Sequence, residues 1–172
     1  LMTVVDDGRL LCGHGSRPFD AEGLPTRRTM VIDRGVLQSY LLDTYSAKRL
    51  DLASTGNAAR AIGDAPSASP TNFYLEAGTD SPEAIIASID RGLLVTELIG
   101  FGVNPVTGDY SRGAAGLWIE HGEIVHPVEE ITIAGNLLDM FRDIEMVGND
   151  LEFRSSMAAP TLKISHMTTA GA

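Results

Sequence analysis

The chain has one cysteine, Cys12, in 172 residues. An internal disulfide is therefore excluded, and a reducing compartment is the simplest setting. Long apolar runs are missing too: none approaches the ~18 residues that cross a bilayer as a helix, so no membrane partner is expected. The opening LMTVVDDGRLL lacks a basic segment and is interrupted by Asp6 and Asp7, unlike a secretory signal. Positive charge is scarce, with 13 Lys and Arg against 23 Asp and Glu, a net charge of −10. Proteins that grip phosphate backbones carry a basic patch, because neutralised phosphates release counterions. The densest cluster here, Arg27-Arg28 beside Arg17 and Arg34, is small and reads as surface or carboxylate-paired. Direct nucleic-acid binding is not expected.

Catalytic patterns are as sparse as charge. A zincin helix needs two histidines at i and i+4 with a glutamate beside the first, and His14, His121, His126 and His166 are not placed that way. Cys12 with His14 reads as a buried thiol beside a loop histidine rather than a ligand pair. Ser16, Ser111, Ser155 and Ser156 lie outside any Gly-x-Ser-x-Gly elbow. The glycines of Gly100–Gly116 lack the Gly-Lys-Ser/Thr ending of a phosphate loop and are explained by tight turns. Asp6-Asp7 and Glu129-Glu130 are neighbours on strands, so each pair splits between two faces, and both read as solvated surface. No catalytic or metal-binding residue is assigned.

What the chain does have is turn chemistry, with eighteen glycines and eight prolines. That density favours strands joined by turns over a helical bundle. A short strand is expected at Thr3–Val5, then an irregular loop through GHGSRPFDAEGLP. Asp33-Arg34-Gly35 sits between two branched-aliphatic runs and signals a hairpin, with glycine supplying a positive φ. TYSAKRLDLASTGNAAR, from Thr44, reads as one short helical turn or helix followed by a loop from Ser54, Ala61–Asn72 as an exposed loop, and Phe73–Leu75 as a strand. A helix is expected over Ser81–Arg91, with Asp80 or Ser81 as cap, Pro82 in its first turn and Gly92 closing it. Leu93–Ile99 begins an antiparallel meander whose turns fall at Asn104-Pro105 with Gly108-Asp109, and at His121-Gly122. Asn136 caps a helix over LLDMFRDIEMV, with Leu137, Phe141 and Ile144 on one face. Leu151–Arg154 and Thr161–Ser165 read as strands, while Trp118 and the apolar helix faces read as core. The expected class is α+β, a mainly antiparallel sheet or meander with two or three helices.

Longer segments carry a resemblance. GSRPFDAEGLPTRRT (Gly15–Thr29), YLLDTYSAKRL (Tyr40–Leu50), STGNA (Ser54–Ala58), RGLLVTELIGFGVNPVTGDYSRGAAGLWIEHGEIVHPVEEITIAGNLLDM (Arg91–Met140) and VGNDLEFRSSMAAPTLKI (Val147–Ile164) resemble the PmbA/TldD family, in order and over nearly the whole chain. TldD-type members of that family carry His-Glu-x-x-x-His and a late cysteine as zinc ligands, and PmbA-type (TldE-like) members lack them. No cysteine stands in FRSSMAAPTLKI, which puts this chain on the PmbA side.

The resemblance implies a single C-terminal domain over 1–172, with the family's N-terminal domain absent from the chain. It implies a non-catalytic subunit paired with a TldD-type partner, together a cytoplasmic metalloprotease acting on small or unfolded peptides. Zinc is expected in that partner and no cofactor in this chain. Peptide or partner contact is expected at Gly102, Asn104, Thr107, Ser111 and Arg112, where strand edges and turns offer backbone hydrogen bonds. A homodimer of this chain alone stays open. So do two alternatives: a protein-interaction module that modulates DNA gyrase, and a metalloprotease whose metal site lies in the upstream half.

Overall fold

The computed structural model describes residues 2–171. They form an α+β fold of mostly antiparallel sheets with three short helices, divided into two compact units. The first takes Leu1–Ala77 with Leu151–Pro160, and the second Gly78–Asp150 with Thr161–Ala172.

The first unit is built on β1 (Val4–Asp7), which lies between β2 (Arg28–Asp33) and β6 (Phe73–Leu75) and pairs antiparallel with both. A hairpin adds β3 (Val36–Leu37), and β11 (Met157–Ala158) joins the far side in parallel with β6. The expected hairpin turn is present, with both Arg34 (φ 47°) and Gly35 (φ 84°) left-handed. Two positive φ values give the turn whose twist matches a right-twisted strand pair. Helix α1 (Thr44–Leu50) starts where the Asp43 carboxylate accepts the Ser46 N–H, and ends at Asp51 in the left-handed region. A small ladder pairs β4 (Ala58–Ala59) with β5 (Ser67–Ala68). Val4, Val5, Leu42, Ala47, Ala58 and Leu75 fill the core.

Two expectations fail in this unit. Asp6 is not solvated surface but 1% exposed, because Asn57, the Thr71 N–H and the Thr71 hydroxyl all donate to its carboxylate. The segment Ala61–Asn72 is exposed only in its first part. It enters β5 and then buries Thr71 and Asn72, since those side chains are the partners that Asp6 and the neighbouring loop require.

The second unit is a long meander, β7 (Arg91–Ile99), β8 (Asp109–Glu120) and β9 (Glu123–Asn136), with β13 (Thr168–Ala170) on the outer edge of β9. The β8–β9 turn falls at His121-Gly122 as expected, with φ of 50° and 80°. Helix α2 (Pro82–Ala87) is capped by Ser81, and α3 (Leu137–Arg142) by Asn136. A second ladder pairs β10 (Ile144–Val147) with β12 (Leu162–Ile164). Ile85, Ala114, Ile119, Ile133, Ile144 and Val147 are its buried apolar residues.

Both helices of this unit are shorter than their sequence pattern. After α2 the carbonyls of Ile89 and Asp90 accept the Gly122 and His121 N–H groups, at 2.8 and 2.6 Å. The chain is thereby drawn into the sheet, and Gly92 pairs within β7 instead of capping a helix. Helix α3 stops at Arg142 because branched Ile144 and Val147 are taken into the ladder with β12 and buried there. Leu137 and Phe141 keep helical spacing, yet α3 buries none of its residues. Leu151–Arg154 forms no strand. Arg154 instead pairs back to Glu152 at 2.7 Å, and the strand of this region is β11. Trp118 is half-buried rather than core: its Nε1 donates to Glu120 at 3.0 Å and Arg91 lies 5.4 Å from its ring centre.

Candidate functional site

Of the five residues expected to contact a peptide or partner, Gly102, Asn104 and Thr107 lie in the β7–β8 connection, and Ser111 and Arg112 at the start of β8. Gly102 accepts the Ser111 N–H on its carbonyl at 2.7 Å, and Val103 bridges to Tyr110. A Cβ on Gly102 would lie 1.4 Å from the Ser111 carbonyl oxygen, so only glycine permits this approach. Asn104 organises the tip. Its side-chain oxygen accepts the Val106 and Thr107 N–H groups at 2.9 and 3.3 Å. Its own N–H reaches the Asp109 carbonyl, and its carbonyl accepts the Gly108 N–H. Such an Asx turn substitutes side-chain for backbone bonding and holds a tip that water would otherwise loosen. The Thr107 hydroxyl donates to Asp109 at 2.6 Å, and Asn136 donates to the Thr107 carbonyl at 3.0 Å. Arg112 reaches back across the pair to the Leu98 carbonyl at 3.2 Å, while its buried Nε has no partner.

These polar residues brace the hairpin, and its apolar residues are the ones left outward. Val95, Leu98, Ile99, Phe101, Val103 and Val106 are all exposed, with Phe101 and Val106 almost entirely so. Large apolar side chains gathered on one element mark a docking surface more often than isolated ones do. In sequence, Leu93–Ile99 reads as a strand and the glycines beyond it as turns, which says nothing of which side chains stay outside the finished sheet. A signal was present in the spacing of apolar residues through a segment crowded with Gly, Asn and Pro.

Beside this strip, β7 has β8 as its sole strand neighbour among the described residues. Its outer edge offers backbone groups that an extended chain can pair with. The opposite edge of the sheet is protected. β13 covers Thr132–Ala134 of β9, and the remainder carries Pro127, Glu129 and Glu130, the last at φ 54°. Proline removes a donor, and charge with a bent backbone discourages pairing.

The first unit holds the other polar constellation. Asn72, fully buried, accepts the Gly15 N–H at 2.7 Å and donates to the Asp7 carbonyl and the Ser16 hydroxyl. This ties down the loop that displays Cys12 and His14. Cys12 is exposed, contrary to its reading as a buried thiol, because it occupies the left-handed region (φ 58°) at the outer bend. Asp20, also buried, accepts the N–H groups of Glu22, Leu24 and Ala58.

Among the described residues no three His, Cys, Asp or Glu side chains converge in the way an ion requires. His121 Nδ1 lies 2.7 Å from Asp90, and His126 Nδ1 lies 3.2 Å from the Pro127 carbonyl, each on an exposed turn or strand. Among the same residues no helix is long and apolar enough to cross a membrane.

Residues 1–171 match the family model described as the PmbA/TldA metallopeptidase C-terminal domain. The chain is 45% identical over 170 residues to metalloprotease PmbA of Escherichia coli, covering 99% of this chain and 36% of that protein. A TldD homologue of Buchnera aphidicola is 29% identical over 187 residues, covering 99% of this chain and 39% of its own length. Among solved structures, TldE of Thermococcus kodakarensis superposes with a TM-score of 0.87 at 31% identity, over 99% of this chain and 40% of that one. A Thermotoga maritima protein, described as a candidate modulator of a DNA gyrase, gives 0.89 at 36% identity, over 98% and 39%. The chain thus spans well under half the length of these relatives.

Proposed function

Because the chain belongs to the PmbA/TldD metallopeptidase family, matched to its C-terminal domain, we propose that it is the partner- and peptide-facing part of a PmbA-type subunit without a catalytic centre of its own. It works beside a TldD-type subunit, which holds zinc, in a cytoplasmic protease that trims small or unfolded peptides. The observation that carries this reading is the braced β7–β8 hairpin, with its exposed strip from Val95 to Val106 beside an open strand edge. A rigid apolar strip suits a permanent protein partner, because little ordering entropy opposes binding. An open edge suits peptides of varied sequence, since backbone hydrogen bonds do not read side chains.

Two further facts support the non-catalytic assignment. PmbA of Escherichia coli is more similar to this chain than the Buchnera TldD homologue, 45% against 29% identity. The histidines and Cys12 are also dispersed rather than gathered into a ligand set. The net charge of −10 favours protein over nucleic-acid partners. Two copies of this chain can share the same surface when the TldD-type subunit is absent.

The test is peptide hydrolysis by the TldD-type subunit, with and without the full-length parent of this chain, each also assayed alone. Activity confined to the mixture is expected, together with loss of assembly in Phe101→Ser and weakened cleavage with intact assembly in Asn104→Ala. Chelator-sensitive activity from the parent alone overturns the assignment. Binding of gyrase by the parent with no protease subunit present moves the function to the interaction-module reading.

A further inference from the structure

Arg17 is set apart from the other arginines of the first unit. Arg28 pairs with Glu76 at 2.5 Å, Arg27 donates to the Ser54 carbonyl at 2.7 Å, and Arg154 pairs with Glu152 at 2.7 Å. Arg9 and Arg60 stand in solvent. Arg17 is partly buried, and its Nε and Nη2 are both buried without any hydrogen-bond partner among the described residues. Those two nitrogens are not an arbitrary pair. They form one edge of the guanidinium, where two N–H bonds run parallel at the spacing of the two oxygens of a carboxylate.

The backbone beneath this fork is fixed from both sides. The Arg17 N–H donates to the Gly8 carbonyl at 3.0 Å, and its carbonyl accepts the hydroxyl of Thr26, which is buried. Pro18 follows, its carbonyl accepting the Thr26 N–H at 3.2 Å. The buried carboxylates of the unit are already engaged: Asp6 by Asn57 and Thr71, and Asp20 by three N–H groups. Buried N–H donors without partners are costly to keep, so they are retained where a ligand fills them. With no acceptor holding the fork in place, rotation of the side chain towards an incoming group gives up only packing.

We infer that Arg17 is a carboxylate-recognition residue, which takes the two oxygens of a peptide carboxylate in a bidentate pair. The inference rests on the peptide reading above. The carboxylate can be the free C-terminus of the peptide or an Asp or Glu side chain, because both present the same planar pair of oxygens.

Binding of three labelled hexapeptides to the full-length parent, followed by fluorescence anisotropy, tests it. One peptide ends in a free carboxylate, the second is its C-terminal amide without acidic residues, and the third is an amide with one internal glutamate. Either carboxylate peptide is expected to bind about 10-fold more tightly than the neutral amide, a typical strength for a charge-assisted pair. A gain for the first alone assigns the fork to the C-terminus; a gain for the third as well assigns it to carboxylates in general. Arg17→Gln removes the discrimination with an unchanged melting temperature, and Arg17→Lys, which keeps charge without the fork, retains a small part of it. Equal binding of all three peptides to the wild type, or discrimination that survives Arg17→Gln, overturns the inference and leaves the peptide reading standing. A large fall in melting temperature in Arg17→Gln also overturns it, by showing that the fork has an internal role. Failure of every peptide to bind removes both readings together.

Discussion

The two units solve the problem of stability in opposite ways. Among the described residues, every buried polar side chain, from Asp6 and Asp20 through Asn57, Thr71 and Asn72, belongs to the first unit. The second buries apolar residues at the centre of a long meander and concentrates its exposed ones on the β7–β8 hairpin. A sheet of short strands has few ladder bonds to set its geometry, so side-chain hydrogen bonds with fixed directions must hold the intervening loops. Strands of nine to fourteen residues need no such help. They leave apolar surface free for other uses.

The largest break in this contrast is expected at Asp6. Asp6→Ala strands Asn57 and Thr71 without their acceptor in a buried site, and should cost about 3 kcal/mol in urea denaturation. A similar removal of charge in the second unit, Glu97→Ala on an exposed strand, should stay within about 0.5 kcal/mol. Gly102→Ala comes next, at about 2 kcal/mol, because the new Cβ forces the Gly102–Ser111 approach apart. Local amide exchange at Val103, Tyr110 and Ser111 should report it, with the first unit unaffected.

Smaller, and confined to acid, is the effect of Asp43. The hydrogen bonds from Ser46 hold its carboxyl below the usual value of 3.8. The folded state therefore favours the ionised form, and its contribution is present in full above the ordinary carboxylate range. It is lost as pH falls through the lowered folded value. Asp43→Asn keeps a helix cap but removes the charge, so the melting temperature should fall less steeply below pH ~4 than in the wild type. The smallest effect on folding belongs to Phe101→Ser. That change should leave stability within about 0.5 kcal/mol while abolishing assembly with the TldD-type subunit, which separates docking from folding.

The same contrast explains what could be read from sequence. Hairpins announce themselves locally: Arg34-Gly35 and His121-Gly122 lie where their residues require, and the meander follows from them. Ser81 and Asn136 likewise marked the starts of both helices in the second unit. Their ends were not legible, because pairing of Gly92 with Ile119 and of Ile144 with Ile164 overrides a local helical pattern. The polar network was invisible for the same reason, since Asp6 finds Asn57 and Thr71 more than fifty residues away. At the candidate site the bracing residues were readable from turn chemistry. The outward strip was not, because exposure belongs to the finished sheet.

The parallel pairing of β11 with β6 bears on how the chain is made. Met157 meets Phe73, and Ala158 meets Tyr74. All of the second unit's meander is encoded between those partners. On a ribosome adding roughly 5–20 residues per second, β6 leaves several seconds before the strand that completes its sheet. The meander, whose neighbours in space are neighbours in sequence, can close during that interval. During that delay β6 has an unguarded edge, and a chaperone or a pause in translation near this segment would act there.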